Sequence, residues 1–175
     1  NSTFCNSSVL NSGGALFATA GAVLSASNNT FYNGDASDGA HLGFAVSSQI
    51  DYSRANLLAP TYAGTACSGT PVIAAPGFVG YNLFADASCN TQGSSSLPNS
   101  PLGAVFVDER SEQIGVLRFS GSAVIDSIGN DTICELSDAR SQSRPIDGNG
   151  DGTAECDVGA YEDPRDIILI NGFDS

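Results

Sequence analysis

The sequence predicts an all-β chain wound as a solenoid, on three observations. It carries a loose repeat of 25 to 27 residues, its apolar segments are short and bounded by turn residues, and no amphipathic helical stripe with caps is present. A period of that length belongs to structures in which each turn of chain stacks on the one before. The 175 residues suffice for one domain with its own core.

The repeat starts at the first residue. Asn1-Ser2-Thr3-Phe4 returns as Asn28-Asn29-Thr30-Phe31, an offset of 27. Gly13-Gly14-Ala15-Leu16-Phe17 returns as Asp38-Gly39-Ala40-His41-Leu42, an offset of 25. Ala22-Val23-Leu24-Ser25 returns as Gln49-Ile50-Asp51-Tyr52, at 26–27. Each piece reads as a strand of about four to six residues between turns of Gly, Asn, Ser and Asp. Parallel stacking at about 4.8 Å puts inward Phe, Leu, Val, Ile and Ala into columns and leaves Ser, Thr and Asn outside. Phe4 is expected over Phe31 in the interior, and Asn1 over Asn28 as an amide ladder at a turn. The competing arrangement of the same strands is an antiparallel sandwich. The coils are expected over residues 1–119, a loop-rich, disulfide-bearing cap over 120–166, and a terminal strand and tail over 167–175.

Charge and cysteine content narrow the setting. Nineteen acids face six bases, all Arg, for a net charge of −13. That balance excludes a nucleic-acid partner, which needs Lys and Arg along the phosphates. No stretch of about 18 apolar residues exists, so the chain is not expected to span a membrane. The hydrophobic content of 41% is too high for a disordered acidic tail. The absence of an initiator Met and of a signal segment points to a trimmed product. The five Cys form no Cys-x-x-Cys pair, and His41 is the only His, so a structural zinc is not indicated. Cys67 to Cys89 and Cys134 to Cys156 are each separated by 22 residues, and sequential pairing closes two loops of equal size. Cys5 is left over, either as a buried thiol or with its partner in another segment or chain. Disulfides and an acidic surface fit a secreted, extracellular or cell-surface protein.

Several segments carry a family resemblance. Gly-Gly-Ala followed by a short strand, then Asn-x-Thr-Phe-x-Asn-x-x-Ala, resembles one coil of the right-handed parallel β-helix repeat proteins. Cys67-Ser68-Gly69, Gly80-Tyr81-Asn82-Leu83 and Asp86-Ala87-Ser88-Cys89 are similar to the end of such a helix in the bacterial choice-of-anchor Q family. So are Ser122-Ala123-Val124-Ile125-Asp126, Asp138-Ala139-Arg140 with Arg144-Pro145, and Cys156-Asp157-Val158-Gly159-Ala160-Tyr161-Glu162. Ser141 departs from the Gly usual in that family. The resemblance implies a right-handed parallel β-helix of which this chain is the C-terminal part. The ending Asn171-Gly172-Phe173-Asp174 is similar to short tails of secreted proteobacterial proteins; the apolar run before it would close the helix or pair with a neighbouring chain.

The richest site candidate is the run Asp147 to Asp157. Oxygen ligands at Asp147, Asn149 and Asp151, with Gly152 in sixth position, reproduce the first half of a calcium loop. Val158 stands where the usual bidentate carboxylate would be, so Glu155 or Asp157 must complete the shell, with Thr153 contributing its carbonyl. A structural Ca2+ would offset a segment in which residues 126–174 hold 12 acids against three Arg. Asp138, Arg140, Arg144, Asp157 and Glu162 read as a structural ion-pair network, since Arg pairs carboxylates through two parallel bonds; a sugar-acid site is the alternative. No catalytic residue is assigned. His41 has no Ser or Cys partner in any motif and reads as a stacked or surface side chain. Paired carboxylates for glycoside hydrolysis could in principle be found among Asp35, Asp38 and Asp51, the first two in a turn. The β-helix enzymes that act on pectin use Lys, which this chain lacks. Tyr32, Tyr52 and Tyr62 are the candidates for a sugar-stacking surface. Asn1, Asn6, Asn28 and Asn130 head Asn-x-Ser/Thr sequons.

The expected function is therefore a non-enzymatic β-solenoid scaffold, an adhesin or a matrix or filament protein, stabilised by calcium. It would self-associate through its solenoid ends and meet a polysaccharide or a cell surface. The alternatives are a polysaccharide-active β-helix enzyme, or its C-terminal remnant, and a carbohydrate-binding module.

Overall fold

The computed structural model describes residues 1–59, 64–73, 79–84, 86–92, 107–110, 115–118, 124–129 and 134–164. The terminal strand and tail over 167–175, and with them Tyr62, Ser122, Ala123 and Asn130, lie outside the described residues.

A first passage of chain lays down β1 (Thr3–Cys5), β2 (Leu16–Ala18) and β3 (Val23–Ser27). A second lays down β4 (Thr30–Tyr32), β5 (Leu42–Phe44) and β6 (Gln49–Arg54). A third contributes β7 (Leu57–Leu58), β8 (Cys67–Ser68), β9 (Val72–Ile73) and β10 (Val79–Gly80), and β11 (Leu83–Phe84) begins a fourth. All these strands pair in parallel. Sheet one is β1-β4-β7-β11, sheet two is β2-β5-β8, and sheet three is β3-β6 with β9 and β10 both on β6. A separate antiparallel pair joins β12 (Val107–Arg110) and β13 (Gly115–Arg118). A 3-10 helix spans Ala87–Gln92, and the described residues hold no α-helix. The chain is an all-β protein built on parallel sheets.

The registers explain the repeat and correct it in two places. Phe4 pairs Phe31 and Leu57 pairs Leu83, offsets of 27 and 26. Leu16 pairs Leu42, an offset of 26 rather than the 25 that would set Leu16 against His41. The correction matters because a one-residue slip sends every side chain of a strand to the opposite face. Between β3 and β6 the offset is 26 at Leu24–Ile50 and 27 at Ser25–Tyr52, with a bulge that leaves Asp51 as the extra residue.

Three columns meet inside. Phe4, Phe31, Leu58 and Phe84 come from sheet one, Leu16, Leu42 and Cys67 from sheet two, and Leu24, Ile50 and Ile73 from sheet three. The rings of Phe4 and Phe31 lie 4.8 Å apart and nearly parallel. Each fully buried Phe, Leu or Ile in such a column contributes about 1.5–3 kcal/mol.

The expected Asn1–Asn28 ladder does not form. Asn1 donates instead to the carbonyl of Ser137, and Asn28 is buried with neither amide atom hydrogen-bonded among the described residues. The ladder runs one residue later. Asn29 Nδ2 donates to Asn56 Oδ1, and Asn56 Nδ2 to Asn82 Oδ1, each at 2.9 Å. The displacement has a backbone cause: Asn28, Ala55 and Tyr81 all take left-handed φ near 50° and turn the chain, so the next residue points along the stack. An exposed second pair, Asn33 to Asn6, repeats the motif at another corner.

The outward column of sheet one changes from polar to apolar along the stack: Thr3, Thr30, Leu57, Leu83. The leucines need cover. Val124, Ile128 and Val158 supply it in a second core, together with Ala55, Ala59 and Cys156. The segment read as a C-terminal cap is thus a lateral cover over sheet one. Gly159 N bonds Ala55 O, Ala160 N bonds Thr30 Oγ1, and Ser27 Oγ donates to Glu135.

Candidate functional site

The Asp147–Thr153 loop is organised by its own carboxylates. Asp147 Oδ1 accepts the N–H of Gly150 at 2.8 Å and of Asp151 at 3.2 Å, and Oδ2 accepts that of Gly152 at 2.8 Å. Asn149 Oδ1 takes the Asp151 N–H and Asp151 Oδ1 the Thr153 N–H, both at 2.8 Å. Gly150 and Gly152 have φ of 79° and 92°, values that only glycine adopts without strain. Asp126, 21 residues before Asp147, anchors the loop from outside by accepting the N–H of Gly148 and of Asn149.

The structure separates the six residues read as cation ligands. Asp147, Asn149, Asp151 and Thr153 share the loop. Glu155 lies across a bridge from Ile146, with its carboxylate over Gly129. Asp157 is buried, and its two oxygens accept the N–H of Asp126 at 2.8 Å and of Asp163 at 2.7 Å. It is tied into the interior of the lateral cover. Among the described residues, no three His, Cys, Asp or Glu side chains gather as a metal-holding group.

The second cluster lies beneath the loop. Asp138 accepts the N–H of Arg140 and Gln142 and pairs with the Arg140 guanidinium at 2.6 Å. That guanidinium sits 3.7 Å over the Tyr161 ring and donates to Glu162 O. Arg144 is buried; it donates to the carbonyls of Asp157 and Gly159 and faces Glu162 at 3.4 Å. Glu162 in turn accepts the N–H of Ile146 and Asp157. Burial, and then the negative charge of Glu162, push the Asp157 carboxyl up to about 8. Burial also raises Glu162, against the pull of Arg144. Both shifts favour the protonated carboxyl over a second buried anion, which limits repulsion in a dry site. The arrangement ties residues 138–163 together, and its carboxyls at Asp138, Asp157 and Glu162 are buried.

His41 is buried rather than on the surface, beside the Phe31 ring, with Nε2 2.6 Å from Ala59 O. A carbonyl only accepts, so Nε2 carries the proton. Burial lowers its pKa, which favours the neutral ring. Asp35 and Asp38 lie between β4 and β5, where Asp38 accepts from Thr65 Oγ1, whereas Asp51 is the exposed bulge of β6. Tyr32 belongs to sheet one and Tyr52 to sheet three, where the Arg54 guanidinium covers its ring at 4.3 Å. Asp51 is thus on a different element from Asp35 and Asp38, and Tyr32 and Tyr52 lie on different sheets. Disulfides join Cys67 to Cys89 and Cys134 to Cys156. Cys5 is exposed at the end of β1 and belongs to neither. Of the sequon asparagines, Asn28 is buried and Asn6 exposed.

Residues that motif reading passed over organise much of this. Asn56 and Asn82 were legible in the recurring triplets Asn29-Thr30-Phe31, Asn56-Leu57-Leu58 and Asn82-Leu83-Phe84. Asp126 ends a segment quoted for its family resemblance, but its role as the loop's anchor was not legible, because its partners lie more than 20 residues away. Comparison with family models, curated proteins and solved structures finds no match.

Proposed function

We propose that the chain forms a right-handed parallel β-helix, akin to the choice-of-anchor Q proteins it resembles, acting as a non-enzymatic extracellular scaffold. The observation that carries this reading is the shared offset of 25 to 27 residues at which sheets one and two stack in register. Successive coils of one winding produce that offset, and a sandwich has no reason to. Two disulfides support an oxidising compartment. The buried carboxyls and the single imidazole are engaged in hydrogen bonds that hold the fold, which favours a scaffold over a hydrolase. Calcium belongs to the same reading: Asp147, Asn149, Asp151 and the Thr153 carbonyl lie together in one loop with lone pairs to spare, and a bound cation would lower the repulsion among the acids around it. Glu155 and Asp157 are left out of that set.

Turnover on a panel of linear polysaccharides, with Asp35→Ala and Asp38→Ala as controls, tests the scaffold reading. No cleavage is expected; cleavage abolished by either variant overturns it. For calcium, thermal unfolding with millimolar Ca2+ or with chelator is expected to differ by several degrees in the wild type and not in Asp147→Ala.

A further inference from the structure

The far edge of sheet two is finished differently from the rest of the stack. In the second passage, Ala40 N donates to Thr65 O, and His41 N and Leu42 N donate to Ala66 O, the carbonyls of the passage that follows. One repeat later the corresponding donors are Ala66 N and Cys67 N. They meet side chains in place of a next strand: Ala66 N donates to Asp86 Oδ2 and Cys67 N to Ser88 Oγ, both at 2.9 Å. Two side-chain oxygens stand where the carbonyls of a further coil would lie. The pair is braced. Asp86 Oδ1 accepts both the N–H and the hydroxyl of Ser88, and the Cys67–Cys89 disulfide pins the 3-10 helix Ala87–Gln92 to β8.

We propose that Asp86 and Ser88 form a plug that closes the edge of β8 against a second copy of this chain, so that the stack ends within one molecule instead of continuing head to tail. The proposal rests on the parallel-coil reading above. The occupant it excludes is β2 of another copy. Among the described residues β2 pairs on one side only, and it sits on β5 with Leu16 against Leu42, as β5 sits on β8 with Leu42 against Cys67. The same register continues if β8 receives a β2. At that end Leu16, Ala18 and Leu24 line an open apolar groove with Leu42 and Phe44, a surface suited to another coil of its own kind. An edge that accepts one copy while offering its own opposite edge to the next makes a heterologous contact that does not close, and it grows. The plug satisfies the donors and sets a negative carboxylate where an incoming strand would lie.

The test is the Asp86→Ala/Ser88→Ala double variant of the full chain with both disulfides intact. Sedimentation velocity across a concentration series is expected to give a monomer for the wild type and a growing ladder of oligomers for the variant. Phe17→Lys in β2, added to the double variant, is expected to return it to monomer. In dilute protein the amides of Ala66 and Cys67 are expected to exchange about tenfold faster in the variant. Ser88→Ala alone, a milder change, should speed Cys67 and leave Ala66 protected. A folded double variant that stays monomeric overturns the plug while leaving the coil reading intact. Wild-type Ala66 and Cys67 amides that exchange as freely as unfolded chain overturn both. Head-to-tail growth of the wild type also overturns the plug.

Discussion

Asn56 works in both directions along the stack from a site that water does not reach. Its Oδ1 accepts from Asn29, and its Nδ2 donates to Asn82 Oδ1, Ala26 O and Ser53 Oγ. Asn56→Ala removes the acceptor of the half-buried Asn29 and one donor to Asn82 Oδ1, which keeps the N–H of residue 56; the expected loss is about 1–3 kcal/mol in urea unfolding. The exposed Asn33→Ala should cost under about 1 kcal/mol. Asp157 gives a pH signature at the same scale. Its folded pKa of about 8 stands above the ordinary 3.8, so between those values the folded chain holds a proton that the unfolded chain has lost. Stability from this group is full at acid pH and falls as pH rises toward 8. His41 has the opposite sign: its depressed pKa makes folding more favourable as pH rises to about 6.5. Above that point the carboxyl pair acts without it. The urea midpoint is expected to decline from pH 6.5 to 8, and Asp157→Asn should flatten that decline. A slope unchanged in the variant would assign the proton elsewhere.

At the scale of the element, the strands are too short to hold by themselves and depend on their columns. Phe31 is sandwiched between Phe4 and Leu58 and is buried, whereas Phe4 stands at the first strand of the column and is half-buried. Phe31→Ala is expected to cost about 3–5 kcal/mol, the usual range for a buried ring, and Phe4→Ala clearly less. The turns are equally specific. A Cβ on Gly14 would fall on the Ala40 carbonyl of the next passage, so that corner admits glycine alone. These features explain which elements could be read from the chain. Phe4-over-Phe31 followed from a repeat visible in both segments. The Asp51 bulge and the 26-residue offset of β2 and β5 did not, because a one-residue difference in turn length leaves the residue pattern nearly unchanged while reversing the facing of a strand.

At the scale of the molecule, the two cores are joined by the lateral segment. Gly159 marks a close approach: its φ is 101°, and a Cβ there would lie 2.6 Å from Thr30 Oγ1. Gly159→Val should lift residues 134–163 from sheet one, seen as rapid proteolysis within that segment while the parallel sheets persist. The Cys134–Cys156 bridge holds the same segment, and replacing both residues by Ser should cost about 3 kcal/mol. The segment's contacts were hidden from the sequence because they join residues more than 100 positions apart, as Ala160 does with Thr30.

The sequence by itself determined the strand-and-turn grammar, the approximate repeat, the inward aromatic column and the acidic loop, since each is a local pattern of side-chain size, turn preference or spacing. Only the tertiary structure decided which asparagine enters the ladder, that His41 is buried, that Asp157 serves the interior of the lateral cover and not the loop, and that the cover lies along sheet one. Those outcomes depend on which turns adopt left-handed backbone and on which distant surface is left apolar. Both are settled when passages of chain are brought together, by burial and hydrogen-bond demand that no short stretch of residues contains.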